Sequence, residues 1–315
     1  MMRLKKFMLF CLSMILLAAC ADRGPVAKVT IRVVDEDNKG VNGALVKVGF
    51  LSNLEKNKEW VVEGTANSEG KFTAEAKTNG LVGAVITKDG YYESTADIPF
   101  TKKEGSRWLP WNVEVIVVLR RIGDPVPMYA RNAQIQIPQR EKNFGFDLIR
   151  YDWVMPYGKG KNADFVFKIT GSYTNEHDFT RTLTIATPNG CDGLQLVKED
   201  THYGSRLKLP RYAPETGYTK IVTKTITAVP SKPIETDSAE ENNYVFRTRS
   251  QRDGSTCKAM YGKIIGDFDF SAGEGKKASI RFRYYLNPDY STNLEFNRNK
   301  NLFEGMTDLE KAGLQ

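Results

Sequence analysis

The sequence predicts a mostly β protein built from two tandem β-sandwich domains, the second a larger sandwich or jelly roll. Three observations carry that expectation. Apolar residues recur at every second position in many short runs, the period of a half-buried strand. Clusters of Gly, Asn, Asp and Pro separate those runs at the spacing seen in sandwiches. The chain is 315 residues long, with 41% hydrophobic residues, 14 Tyr and 16 Phe, enough for two cores.

The chain opens with Arg3, Lys5 and Lys6, an apolar run from Phe7 to Leu17, and small residues. This is the layout of a signal peptide (residues 1–19), and its apolar core is too short for a membrane-spanning helix. Leu17-Ala18-Ala19-Cys20 then resembles the lipobox of bacterial lipoproteins. That resemblance implies lipidation of Cys20, cleavage before it, and a short tether over residues 20–25. The partner it implies is a membrane, reached through the N-terminal lipid. Ala21 stands where an aspartate would signal retention at the inner membrane, so the resemblance favours the outer membrane of a two-membrane envelope. Removing the three leader cations lowers the net charge from +7 to about +4. The remaining surplus is spread along the chain, which argues against nucleic acid as a partner.

Residues 26–120 form the first predicted domain. Val29, Ile31 and Val33 alternate with Lys28, Thr30 and Arg32; after the turn residues Asp35 to Gly40, Ala44, Val46, Val48 and Phe50 alternate again, a hairpin-like start. Val113 to Leu119 is a β-branched run. Val34-Asp35, the turn closed by Gly40, Val41-x-Gly43-Ala44-x-Val46, Thr65-x-Asn67-x-x-Gly70-x-Phe72 and Lys88-x-Gly90-Tyr91 resemble the carboxypeptidase regulatory-like, or transthyretin-like, sandwich module, which implies a transthyretin-like or immunoglobulin-like fold for this domain. The resemblance covers under a third of the chain and implies an accessory spacer or interaction domain, with Phe72 and Tyr91 entering the core. It does not imply peptidase activity: His177 and His202 are the only histidines and neither has a glutamate at zinc-ligand spacing, so both read as loop residues. Asp35, Asp37 and Asn38 lack the remaining ligands of a calcium loop and read as a solvated turn. No metal or cofactor is expected.

Residues 121–128, with Pro125 and Pro127, read as an extended linker. Residues 129–296 are again strand-like, clearest in Ile280, Phe282, Tyr284 and Leu286 opposite Arg281 and Arg283. Ser231 to Asn243 reads as an exposed, mobile loop. Residues 297–315 read as a polar tail in which Thr307-Asp308-Leu309-Glu310 opens one short helix.

Candidate functional residues are few. Trp153 and Tyr157, beside the loop Gly158 to Lys161, are candidates for stacking on a glycan, with Trp108 and Trp111 as further aromatics; the competing reading makes Trp153 and Tyr157 core anchors. Gly158 to Lys161 lacks the spacing of a phosphate loop, and no Gly-x-Ser-x-Gly elbow occurs. Asp267 and Asp269 read as solvated carboxylates on one strand face rather than a glycosidase pair. Cys191 and Cys257 either form a disulfide in an oxidising compartment or stay apart as two buried thiols. No residue set specifies a reaction. The expected role is a non-catalytic envelope lipoprotein that binds or scaffolds a partner protein, with glycan binding as the alternative and a hydrolase behind both.

Overall fold

The computed structural model describes residues 24–53, 58–253, 256–271 and 278–313. The signal segment and Cys20 lie outside them. Among the described residues there is no helix, and the chain is mostly strand, as its alternating pattern dictates.

The N-terminal part contains β1 (Val26–Val34), β2 (Leu45–Asn53), β3 (Lys58–Thr65), β4 (Lys71–Lys77), β5 (Leu81–Thr87), β6 (Ser94–Pro99), β7 (Lys102–Glu104), β8 (Arg107–Leu109) and β9 (Val113–Val118). One sheet sets β1 between antiparallel β4 and parallel β9, with β8 and β7 beyond; the other runs β6-β5-β2-β3. Val29, Ile31 and Val33 from the first face Val46, Val48 and Phe50 from the second in one core. Alternation thus places the faces correctly, but the hairpin-like start is not a hairpin: β1 and β2 lie in different sheets. The carboxylate of Asp35 accepts the amides of Asp37 and Lys39, closing a tight turn bridged at Val34 and Gly40, and the chain then crosses to the opposite layer. This turn and the Asn67 turn press together. A Cβ on Gly40 would lie 2.5 Å from the Glu69 carbonyl oxygen, and one on Gly70, at φ +79°, would lie 2.2 Å from that of Val33. Only glycine fits either place. Phe72 and Tyr91 pack at the margin of the core and are partly buried.

The remainder contains β10 (Val126–Gln136), β11 (Phe144–Asp147), β12 (Asp152–Trp153), β13 (Phe165–Asn175), β14 (Asp178–Ala186), β15 (Gly193–Lys198), β16 (Gly204–Ser205), β17 (Ile221–Ala228), β18 (Glu235–Thr236), β19 (Asn242–Asp253), β20 (Thr256–Ile264), β21 (Asp269–Ser271), β22 (Ser279–Asn287) and β23 (Phe296–Asn301). A sheet ordered β15-β19-β20-β22-β10-β23, with β21 beside β22, packs on a sheet ordered β12-β11-β13-β14-β17-β18. Phe146, Phe165, Phe167, Phe246, Phe268 and Phe282 fill the space between, mostly edge to face.

Three further expectations are corrected. Residues 121–128 are more than the extended linker expected: Arg121 bridges Tyr91, the amides of Gly123 and Val126 bond Glu295, and β10 already begins at Val126. The expected polar tail with a helix over 297–315 is, in its described part 297–313, neither, because β23 runs parallel to the start of β10 and no helix forms there. Thr307 does bond Glu310, its amide and hydroxyl both donating to the Glu310 carboxylate, but Lys311 pairs with Arg131, which draws the chain out after a single turn. Ser231 to Asn243 is not mobile to its end, since Asn242 and Asn243 are buried and Asn243 donates to the carbonyls of Glu199 and Glu241.

Candidate interaction site

The Tyr151 to Lys161 segment is held from beneath by two buried carboxylates. Asp147 ends β11 and accepts the amides of Arg150, Lys161 and Asn162, while Asp164 accepts the amide of Leu148 and the hydroxyl of Thr248. Arg249 joins the pair, its Nη2 2.6 Å from Asp147 and 2.8 Å from Asp164. Burial acts to raise the Asp147 pKa; the amide donors and the guanidinium outweigh it and hold the carboxyl below its ordinary range. These charges are consumed in fixing a loop. Sequence reading missed them because Arg249 lies 102 residues from Asp147.

The loop does not present Trp153 to a ligand. That side chain is 9% exposed, its ring meets Phe144, Phe146 and Phe167 edge to face, and its indole N–H donates to the carbonyl of Gln136. As a stacking residue Trp153 is therefore corrected to a core anchor. Tyr157 is 52% exposed and leans on Phe144 at 4.7 Å, so only one side is occupied. Trp108 donates to the Thr78 carbonyl, and Trp111 lies under Arg107 and Lys28.

What the fold does bring together is a groove. Three hollows of about 610, 760 and 570 Å³ share Ile265 and Arg283. One reaches Glu93 and Arg206 at the seam between the two sandwiches; one is walled by Ile226, Ile234 and Phe268; one ends at Tyr151 and the Thr307 turn. The wall is formed where β20 gives way to β21. Asp267 there is not a solvated carboxylate, as the strand alternation suggested: it accepts from Lys224 and Asn242, both at 2.8 Å, and from the Tyr244 hydroxyl at 2.9 Å. Asp269 is exposed and paired with Arg281. Each carboxylate is thus bound to a cation of its own, Asp267 to Lys224 and Asp269 to Arg281. His202, on the groove rim, bonds Asp200; His177 pairs with Glu176. Among the described residues no group of three metal-ligating side chains occurs.

The seam itself is polar and tight. β16 extends the sheet of β6 by pairing Gly204 with Thr95 and Ser205 with Ser94. Arg120 donates to the carbonyls of Leu207 and Leu209, and Glu295 accepts from Arg211, Tyr92 and the Gly123 amide. Close by, Lys263 is fully buried, its ammonium 3.3 Å from the Lys208 carbonyl and 5.5 Å from the Tyr285 ring. Burial, reinforced by the Arg120 charge, pushes its pKa down to about 7. Cys191 and Cys257, with Cα atoms 6.4 Å apart, are joined through sulfur.

No protein-family model matches this chain, and no curated protein does. Among solved structures, it is similar to 3-chlorocatechol 1,2-dioxygenase of Rhodococcus opacus over 31% of this chain and 61% of that one, at 11% identity and a TM-score of 0.27. It is similar to the shaft pilin SpaA of Lactobacillus rhamnosus GG over 77% of this chain and 94% of that one (12%, TM-score 0.23). A protein from Bacteroides uniformis, provisionally named carbohydrate-binding, matches over 83% and 99% (13%, TM-score 0.20). Likenesses this distant carry no function across.

Proposed function

We propose that the protein is a lipid-anchored envelope protein that acts without catalysis, holding a partner protein in the groove that runs from the seam past Ile265 and Arg283. The observation behind this is that the groove joins apolar walls to charges already neutralised by one another: Asp269 with Arg281, Glu93 with Arg206, and Asp267 with Lys224. Paired charges of this kind suit a recognition surface, where complementarity sets register, better than a reaction centre, which needs a group of perturbed and available pKa. Cys20 would carry the lipid, and two or three acyl chains make a lasting anchor.

Photo-crosslinking residues placed at Ile234 and Arg283 in the groove, and at Ile116 on the outer face of β9, test the reading in intact cells. One envelope protein trapped from both groove positions and not from Ile116 is expected; no adduct, or the same adducts from all three, would overturn it. Cys20→Ser is expected to move the protein from the membrane to the soluble envelope fraction. A glycan ligand is the second reading, favoured by the exposed ring of Tyr157 and by an arginine–aromatic cluster on β13 and β14.

A further inference from the structure

At the far end of the second sandwich, the inner face of the β13–β14 hairpin continues past the buried core. On β14, Leu183 and Ile185 are fully buried; the same face then carries Arg181 and Phe179, both only partly covered. Tyr173 of β13 lies opposite Phe179, the rings 6.3 Å apart and inclined by 27°. The Arg181 guanidinium sits 4.2 Å from the Phe179 centroid and 5.1 Å from that of Tyr173, so the rings fix its plane. Arg140 approaches from the turn after β10, whose next residue, Glu141, bonds the Ile169 carbonyl.

Two cations are thus close together, and neither is neutralised. Among the described residues no carboxylate pairs with Arg140 or Arg181, and the Nε of each is buried without a hydrogen-bond partner. Burial lowers the Arg181 pKa, and the Arg140 charge lowers it further. Buried donors beside an uncompensated like charge are costly unless an acceptor arrives from outside.

We propose that Arg140 and Arg181 bind the oxyanion of an acidic saccharide, a uronate carboxylate or a sulfate ester, with the sugar ring lying against Tyr173. Planar guanidiniums match such oxyanions through two parallel hydrogen bonds, and a partly exposed ring beside them suits a sugar face. A peptide joined by strand pairing is disfavoured because β14 is already paired on both sides, by β13 and β17. The proposal rests on the glycan reading and names its chemical class.

The test is binding of the purified chain to an array of uronate-containing and sulfated oligosaccharides and their uncharged counterparts, with inorganic sulfate as competitor. At least one acidic sugar should bind about ten-fold or more tighter than its neutral partner, and Arg181→Gln and Arg140→Gln should each remove that margin. Arg181→Lys should restore only part of it, since it returns charge without the planar fork. Unchanged melting in Arg140→Gln, whose loss relieves repulsion, shows that the effect is not unfolding. Acidic sugars bound equally well by both glutamine variants would overturn this site and leave the glycan reading standing; no saccharide bound by the wild type would overturn both.

Discussion

Asp147, Asp164 and Arg249 show how single residues in this chain spend charge on structure. Both acids are buried, and their oxygens are filled by main-chain amides, a hydroxyl and one guanidinium, so the loop from Tyr151 to Lys161 is fixed with Trp153 turned inward. Trp153→Ala is therefore expected to cost about 3–5 kcal/mol in denaturant unfolding, whereas Tyr157→Ala should change stability by no more than about 0.5 kcal/mol. A small loss for Trp153→Ala would return that residue to the list of ligand contacts. Lys263 is the opposite case, a cation without a carboxylate bonded to it. Its folded pKa of about 7 lies below the 10.5 of an unhindered lysine, so between those values the unfolded chain holds the extra proton. Stability should accordingly rise with pH from about 7 towards 10 and be flat just below 7 on this account. Urea midpoints across that range should show the slope, and Lys263→Met should abolish it while raising stability at neutral pH.

Among the elements, the alternating strands were legible and their partners were not. Val29, Ile31 and Val33, like Ala44, Val46, Val48 and Phe50, read directly as core-facing residues, and all seven are fully buried. Alternation fixes which side chains face inward, but it carries no information on which strand lies beside which. The turn at Asp35 to Gly40 looks like a hairpin turn and serves as a crossover between layers. The Thr307 capping pattern likewise formed its local bonds without a helix, because pairing with Arg131 outweighed a helix too short to propagate. The Cys191–Cys257 link ties the segment before β15 to β20 across 66 residues. Closing a loop of that length should stabilise the fold by about 2–4 kcal/mol. Reduction should lower the thermal midpoint; an unchanged midpoint, with free thiols verified by mass spectrometry, would show that the link carries no stability.

For the whole molecule, the seam decides behaviour. A flexible linker would let two sandwiches move independently, but here Arg121 bridges Tyr91, the amides of Gly123 and Val126 both bond Glu295, and Glu295 gathers donors from both sides. Limited trypsin digestion of the native protein should therefore not release two halves by cleavage at Arg120 or Arg121. Glu295→Gln, which leaves the Arg211 cation with less compensation in a half-buried site, should make that cleavage appear and cost about 3 kcal/mol. Early release of two stable halves from the unaltered chain would show the seam to be weak. A rigid seam also keeps the groove's three hollows in line, as the proposed partner requires.

By itself the sequence determined the β class, the identity of the core-facing residues in the clearest strands and the glycine-dependent turns, because these follow from period and backbone sterics over a few neighbouring residues. Tertiary structure alone decided the sheet order, the burial of Trp153, the Asp147–Asp164–Arg249 cluster, the uncompensated Arg140–Arg181 pair and the groove. Each of these joins residues tens of positions apart, and the cost of burying a charge or an aromatic ring is set by what the fold places beside it.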